Sequence, residues 1–239
     1  MVRIYKAKVG EQEWYVPYKS ASLTNWAMTF IDEKRHRRYI EYIKGGDTIF
    51  DVGATTGEYT IPASRLVGEN GAVYAFEPEP ACYACLVSNM VLHEARNVIA
   101  ANAALSHKGG TLTLCSEPET VSGDTIVKRR ARWKERRETQ VEATTLDTFV
   151  AERGNIPKID ILKVTVNGYD PNVLRGAKET LPNVRLVVVQ SFPEEGAKSF
   201  RYLLKQGFGL REGTTHRTEC TKREGTRLRA ISYVMENLG

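Results

Sequence analysis

The sequence predicts an α/β fold: a mostly parallel sheet with helices on both faces and an antiparallel strand pair at the C-terminal end. Short apolar segments alternate with helical segments along most of the chain, which is typical of a parallel sheet that is covered on both sides. Residues 159–166 and 184–190 are almost continuously apolar, as buried parallel strands are. Residues 208–236 form a tail with two extended segments, which we expect to pair with each other.

The individual elements follow from the spacing of apolar residues. Gly45-Gly46 end the first predicted helix, and Pro62 has to lie in the first turn of the second. Helices are predicted over residues 26–44, 57–67, 80–93, 146–153, 171–180 and 194–206. Strands are predicted over residues 48–52, 72–76, 97–102, 111–114, 141–145, 159–166 and 184–190.

Length and composition favour one globular domain. With 239 residues and 41% hydrophobic content, the chain can bury one full core. We divide it into a lead-in with a helix, residues 1–44, and a cofactor-binding domain, residues 45–239. Because the chain has neither an apolar stretch of about 18 residues nor an apolar signal region near Met1, we expect a cytoplasmic protein with no membrane partner.

The cysteines do not predict a disulfide framework or a metal site. The chain has four, and their spacing fits no small disulfide-rich fold. Cys82 and Cys85 form a CxxC pair inside a predicted helix, where two small apolar residues on one face are the simpler interpretation. A zinc site would need a second pair of ligands, so no metal is expected.

The loop after the first buried strand is the strongest candidate for ligand binding. Residues 51–57 read Asp-Val-Gly-Ala-Thr-Thr-Gly, and the glycines allow a tight turn and a close approach of ligand to backbone. The dinucleotide pattern GxGxxG is absent, and Asp51 and Glu58 would repel a pyrophosphate. S-adenosylmethionine carries a sulfonium and an ammonium but no phosphate, so it suits this loop. The alternative is an ordinary strand-to-helix turn with a capping Asp.

Glu77 supports the cofactor interpretation. It follows the next predicted strand, residues 72–76, so its carboxylate is expected at the carboxyl edge of the sheet, beside the loop. In open α/β sheets an acid at this position can accept both hydroxyls of a ribose. A solvated acid at a strand end is the alternative.

At this point the chain resembles the FkbM family of methyltransferases over residues 45–190. The resemblance is carried by five blocks of sequence, residues 50–60, 75–78, 102–110, 144–149 and 161–177. It implies a class I methyltransferase (Rossmann-like) fold, S-adenosylmethionine as methyl donor, and O-methylation of a small hydroxylated acceptor. It also implies that Asp51, Gly53 and Gly57 hold the methionine part, that Glu77 holds the ribose, and that Asn102 and Ala103 lie near the adenine. Ala54, Tyr59 and Pro78 lie in the same blocks and complete the predicted cofactor site.

The chain departs from the family where acids are usual. After Leu-Lys the family usually has Ile-Asp-Val-Glu-Gly, whereas here Thr165 and Asn167 replace the acids, and Gln190 stands where a Glu is typical. A carboxylate base or metal site is therefore in doubt, although positioning alone can support methyl transfer. We take Lys163, Thr165 and Asn167 as catalytic candidates, with Lys163 and Thr165 expected on one strand face. A binding domain without catalysis is the alternative.

A basic run suggests a different acceptor. Residues 128–137 contain seven basic residues against one acid, with Trp133 among them, and the chain has a net charge of +5. Cations interleaved with an aromatic residue can bind phosphates and stack on bases. An anionic small molecule or RNA is thus a possible partner, and an RNA methyltransferase is an alternative function. A solvated surface segment would have the same composition.

Overall fold

The computed structural model describes residues 4–9, 11–17, 40–116, 126, 137–154, 156–221 and 227–239. The predicted helix over residues 26–44 lies outside the described residues except for 40–44, of which Ile40 is helical. Most of the basic run, residues 128–136, also lies outside them.

Thirteen strands and five α-helices make up the described chain. The strands are β1 (Tyr5–Val9), β2 (Gln12–Val16), β3 (Thr48–Val52), β4 (Ala72–Phe76), β5 (Val98–Ala101), β6 (Ala104–Leu105), β7 (Gly110–Ser116), β8 (Arg137–Thr144), β9 (Ile159–Val164), β10 (Val184–Ser191), β11 (Phe208–Leu210), β12 (His216–Thr221) and β13 (Arg227–Asn237). The helices are α1 (Thr60–Val67), α2 (Pro80–Leu92), α3 (Leu146–Arg153), α4 (Asp170–Arg175) and α5 (Pro193–Lys205), with a 3₁₀ turn at Leu181–Asn183.

The main sheet has eight strands in the order β11-β13-β10-β9-β3-β4-β5, with β12 paired to β13. The five strands from β10 to β5 are parallel, and β11, β12 and β13 pair antiparallel. This confirms the predicted mostly parallel sheet and its antiparallel C-terminal pair, to which β11 adds a third strand. A small second sheet has the order β6-β8-β7.

Both faces of the main sheet are covered. Neighbouring residues of one strand belong to different hydrophobic clusters: Phe50 and Leu162 pack on one face, and Ile49 and Ile161 on the other. All four are fully buried, which explains why these strands have continuous rather than alternating hydrophobic patterns.

Several predicted boundaries differ from the structure, and three of the predicted elements are too long. The helix predicted over 57–67 begins at Thr60, since Gly57 has a φ of 103° and still belongs to a turn. The strand predicted over 159–166 ends at Val164. The helix predicted over 171–180 ends at Arg175, where Gly176 packs so closely on the Ser106 carbonyl that a Cβ would lie 1.9 Å from its oxygen.

The N-terminal strands form a hairpin that packs on the domain. Here β1 and β2 pair antiparallel, and Trp14 is buried in the same cluster as Ile49. The Trp14 ring lies 4.5 Å from the ring of His93, just beyond α2. Among the described residues, no helix has the length and apolar character needed to cross a membrane.

Candidate active site

The loop after β3 has a tightly constrained backbone. Gly53, Thr55 and Gly57 all have positive φ, at 83°, 54° and 103°. A Cβ on Gly53 would lie 2.1 Å from the carbonyl oxygen of Thr165, so this loop and the chain after β9 touch backbone to backbone. The amides of Gly53 and Ala54 both donate to the carbonyl oxygen of Phe76, at 3.0 Å each, which fixes the loop to the end of β4.

Glu77, predicted to hold a ribose, lies beside this loop. Its Oε2 accepts the Thr55 amide at 2.8 Å, and its Oε1 accepts the Glu79 amide at 2.8 Å. The side chain is 6% exposed. Burial raises the pKa of Glu77 to about 7, against the two backbone N–H groups, which lower it. A carboxylate has about four acceptor positions, so Glu77 can still accept hydrogen bonds from a ligand.

Asp51 and Lys163 form a buried ion pair beneath the loop. Lys163 Nζ lies 2.7 Å from Asp51 Oδ1 and donates to the Gly53 carbonyl at 3.0 Å. The other oxygen of Asp51 accepts from Thr60 Oγ1 at 2.6 Å. Asp51 is fully buried, so both of its oxygens are engaged inside the protein. In this geometry Asp51 and Lys163 position the loop, while their predicted contacts with cofactor and acceptor stay predictions.

A second buried acid, Glu58, adds negative charge near the loop. Its Oε1 accepts from Thr56 Oγ1 at 2.6 Å. Burial raises the pKa of Glu58 to about 7, and the hydrogen bond from Thr56 opposes that rise. A site with buried acids at Glu58 and Glu77 disfavours a phosphate and tolerates a cationic ligand.

A cavity opens where the ends of β3, β4 and β9 meet. Six predicted site residues line it: Gly53, Glu77, Pro78, Ala103, Thr165 and Asn167. The other described lining residues are Val52, Thr55, Phe76, Ala104, Leu105, Leu114, Ile126, Val166 and Tyr169. The remaining predicted residues are not on the described lining: Asp51, Ala54, Gly57, Tyr59, Asn102 and Lys163. Of these, Asn102 donates to the carbonyl of Glu77 at 2.8 Å and so supports the lining from behind.

The side of the cavity after β9 is uncharged. Thr165 lies beyond the end of β9, so the expectation that it shares a strand face with Lys163 was wrong: Lys163 points under the loop, whereas Thr165 lines the cavity. Asn167 has a φ of 50°, which turns the chain towards Tyr169. The Tyr169 hydroxyl lies 2.9 Å from Ser106 Oγ in a buried contact.

Thr55 and Tyr169 also line the cavity but were not among the predicted site residues. Thr55 acts through its backbone amide, which no side-chain pattern reveals. Tyr169 directly follows the Asn167-Gly168 turn, and its place after a strand end was the available signal.

The described end of the basic run faces an acid. Arg137 begins β8, and its guanidinium forms an ion pair with Glu79, which caps α2 by accepting the Cys82 amide at 2.7 Å. No cation is found among the described residues that line the cavity. Binding of an anionic acceptor or RNA by residues 128–136 stays a prediction.

Metal-binding side chains do not cluster in the described part of the chain, where no group of three or more His, Cys, Asp or Glu could hold an ion. Cys82 and Cys85 lie buried on α2, as expected for two core residues. Burial raises the pKa of the Cys85 thiol to about 12.

The sequence is similar to a family of methyltransferases. The family model for the methyltransferase FkbM domain matches residues 51–210. Methyltransferase sdnD of Sordaria araneosa is 30% identical over 177 residues, which cover 63% of this chain and 68% of that protein. The 31-O-demethyl-FK506 methyltransferase FkbM of Streptomyces tacrolimicus is 27% identical over 208 residues, or 76% of this chain and 78% of that protein. Methyltransferase 1 of Beauveria bassiana is 28% identical over 143 residues, and the match spans 57% of its length.

Solved structures show the same fold. A proposed RNA methyltransferase from Pyrococcus horikoshii superimposes with a TM-score of 0.51 and 14% sequence identity, over 93% of this chain and 87% of that one. At this identity the likeness establishes the class I methyltransferase fold alone. The family match over residues 51–210, more than half of the chain, shows that the chain belongs to the FkbM methyltransferase family.

Proposed function

We propose that the protein binds S-adenosylmethionine in the cavity and transfers its methyl group to a hydroxyl of a small acceptor. The observation that carries the proposal is the division of the cavity: the buried acid Glu77 on one side, and the neutral polar side chains of Thr165, Asn167 and Tyr169 on the other.

The acidic side suits this methyl donor. Glu77 would accept the ribose hydroxyls, Pro78 and Ala103 would flank the adenine, and the backbone of Gly53 and Thr55 would face the methionine part. The buried acids favour a ligand with positive charge over one with phosphates. S-adenosylmethionine would supply an electrophilic methyl group on a positively charged sulfur, S-adenosylhomocysteine would be the leaving group, and the proton of the acceptor hydroxyl would pass to water.

The neutral side suits a hydroxylated acceptor. Thr165 and Asn167 both donate and accept hydrogen bonds, so they can orient a hydroxyl without a charge. Holding the two reactants in line is itself a large part of catalysis in such transfers. The name of the Streptomyces tacrolimicus relative gives an O-demethylated compound as its acceptor, which supports the same class of chemistry here.

The experiment has two stages. Calorimetry of the folded protein with S-adenosylmethionine and S-adenosylhomocysteine should show 1:1 binding, and a phosphate-bearing dinucleotide such as NAD should give no heat. Incubation with a panel of sugars, other hydroxylated compounds and amines should then yield S-adenosylhomocysteine and an O-methylated product. Absence of heat with both sulfur ligands would overturn the cofactor, and methylation confined to amines would overturn the acceptor class.

A further inference from the structure

We propose that the N-terminal hairpin formed by β1 and β2 supports cofactor binding. Through Asn89, the hairpin holds the loop of residues 53–57 in the conformation that binds the cofactor. This inference rests on the proposed function, in which that loop faces the methyl donor. Asn89 lies on α2 and is a positioning residue: it is not on the described cavity lining.

The side-chain amide of Asn89 joins the hairpin to the loop. Its Oδ1 accepts the Tyr15 amide at 2.7 Å. Its Nδ2 donates to the Tyr15 carbonyl at 3.0 Å and to the Thr56 carbonyl at 2.8 Å. Asn89 is 0% exposed, and both of its amide hydrogens are used. The opposite orientation of the amide would place its oxygen against two carbonyl oxygens, so this set of bonds fixes the side chain.

At the hairpin end, Asn89 continues the strand ladder. Tyr15 pairs with Lys6 across the hairpin, and its own N–H and C=O both bond to the side chain of Asn89. Trp14, next to Tyr15, adds an apolar contact. It is 3% exposed, and its ring lies 4.5 Å from the ring of His93. The hairpin is therefore held on α2 by one polar and one apolar anchor.

At the loop end, Asn89 restrains a strained backbone. Thr56 follows Thr55, whose φ of 54° is uncommon for a β-branched residue, and precedes Gly57, whose φ is 103°. Such conformations persist only where the surroundings impose them. The Asn89 bond supplies one restraint at the Thr56 carbonyl, and the bond from the Thr55 amide to Glu77 supplies another. Loss of the first would leave a buried carbonyl without this donor and free the loop to relax.

The coupling has to act in both directions. A change that loosens the hairpin should weaken binding at the loop, although the hairpin has no described residue on the cavity lining. Conversely, ligand binding at the loop should protect the hairpin. The hairpin thus offers a place, remote from the cavity, at which cofactor affinity can be tuned.

Three variants test the proposal by calorimetry with S-adenosylmethionine. Asn89→Ala removes the link, and Trp14→Ala weakens the docking of the hairpin while Asn89 itself is kept. Asn97→Ala is the matched control, because Asn97 Nδ2 also donates to two carbonyls, of Ser64 at 3.0 Å and of Gly68 at 2.7 Å. Asn97 lies just before β5, where this parallel strand begins, whereas the loop of residues 53–57 follows the end of β3. We expect Kd to rise by about 5- to 30-fold in the first two variants, a change of about 1–2 kcal/mol, and to stay within about 2-fold in the control.

Amide hydrogen exchange of the ligand-free protein gives a second readout, independent of the cofactor. Trp14→Ala should speed exchange at Thr55 and Gly57, and Asn97→Ala should not. The proposal is overturned if Trp14→Ala leaves both Kd and loop exchange unchanged, or if all three variants change them equally, as a general loss of stability would. If the wild type binds no S-adenosylmethionine, the proposed function fails, and loop exchange still decides whether the hairpin and the loop are coupled.

Discussion

The cavity has a proposed donor half and a proposed acceptor half, and the two are built in different ways. The donor half, formed by Gly53, Thr55, Glu77 and Pro78 after β3 and β4, combines a left-handed backbone with a buried acid. The acceptor half, formed by residues 165–169 after β9, has neutral polar side chains, and its conformation depends on a turn at Asn167 and Gly168.

The difference indicates which half of the cavity can tolerate substitutions. In the donor half nearly every constraint is a backbone contact or a buried charge, so a substitution there costs stability as well as binding. In the acceptor half the described lining side chains can change without leaving a buried charge unpaired. We therefore expect the donor half to be sensitive to single changes and the acceptor half to tolerate them.

The largest effect is expected at Gly53. Gly53→Ala should lower the free energy of unfolding by about 2–5 kcal/mol, since left-handed strain of about 1–2 kcal/mol adds to overpacking of about 1–3 kcal/mol against the Thr165 carbonyl. Gly46→Ala is the control, because Gly46 has a similar φ of 85° but no atom within 4 Å of the added Cβ. It should cost only the strain, about 1–2 kcal/mol. Equal losses in urea unfolding would show that the close contact with Thr165 does not matter.

A smaller effect is expected from the charge on Glu58. Its folded-state pKa of about 7 lies above the ordinary 4.5, so its contribution to stability is complete below about pH 4.5 and is lost as pH rises through about 7. Glu58→Gln keeps an acceptor for Thr56 and removes the buried charge. The variant lacks this loss. Its free energy of unfolding, measured relative to the wild type, should therefore be about 2–3 kcal/mol more favourable at pH 8 than at pH 5. Glu69→Gln, on the exposed turn after α1, should gain nothing; an equal gain would contradict the buried-charge account.

The smallest effect is expected from metal removal. Because Thr165, Asn167 and Gln190 replace acids that a hard cation would need, methyl transfer should proceed unchanged with a chelator present. The rate of S-adenosylhomocysteine formation, with and without the chelator, measures the effect of metal removal. Loss of activity that magnesium or calcium restores would contradict this expectation and would require metal ligands elsewhere in the chain.

The fold was predictable because it rests on periodicity, which the sequence displays directly. The strands at Thr48–Val52 and Ala72–Phe76 match their predicted bounds, since buried parallel strands have unbroken apolar runs. The predicted strand that contains Lys163 was two residues too long, because Thr165 and Val166 are both β-branched and so continue the pattern of a strand beyond its end at Val164.

The site was predictable only in part, because a motif shows which residues are present but not which way they face. Glu77 and Gly53 were located by the loop pattern and by strand order, and both line the cavity. The pairing of Asp51 with Lys163 depends on the register between β3 and β9, in which these two residues are direct partners. The role of Asn89 depends on contacts with Tyr15 and Thr56, which are distant in sequence, and no local pattern could have predicted them.

The central claim, that the ionised carboxylate of Glu77 receives the cofactor, is tested most directly by the pH dependence of S-adenosylmethionine binding. The measurement is Kd by calorimetry from pH 5.5 to pH 8.5 in the wild type and in Glu77→Gln. Because the pKa of Glu77 is about 7 in the free protein, wild-type affinity should rise as pH increases towards about 7, by up to about tenfold per pH unit, and then level off. Comparison with Glu77→Gln cancels any titration of the ligand itself. The variant should bind more weakly, by about 1–3 kcal/mol at pH 8, and lack this dependence. The same pH profile in both proteins, or unchanged affinity in the variant, would show that Glu77 does not hold the cofactor.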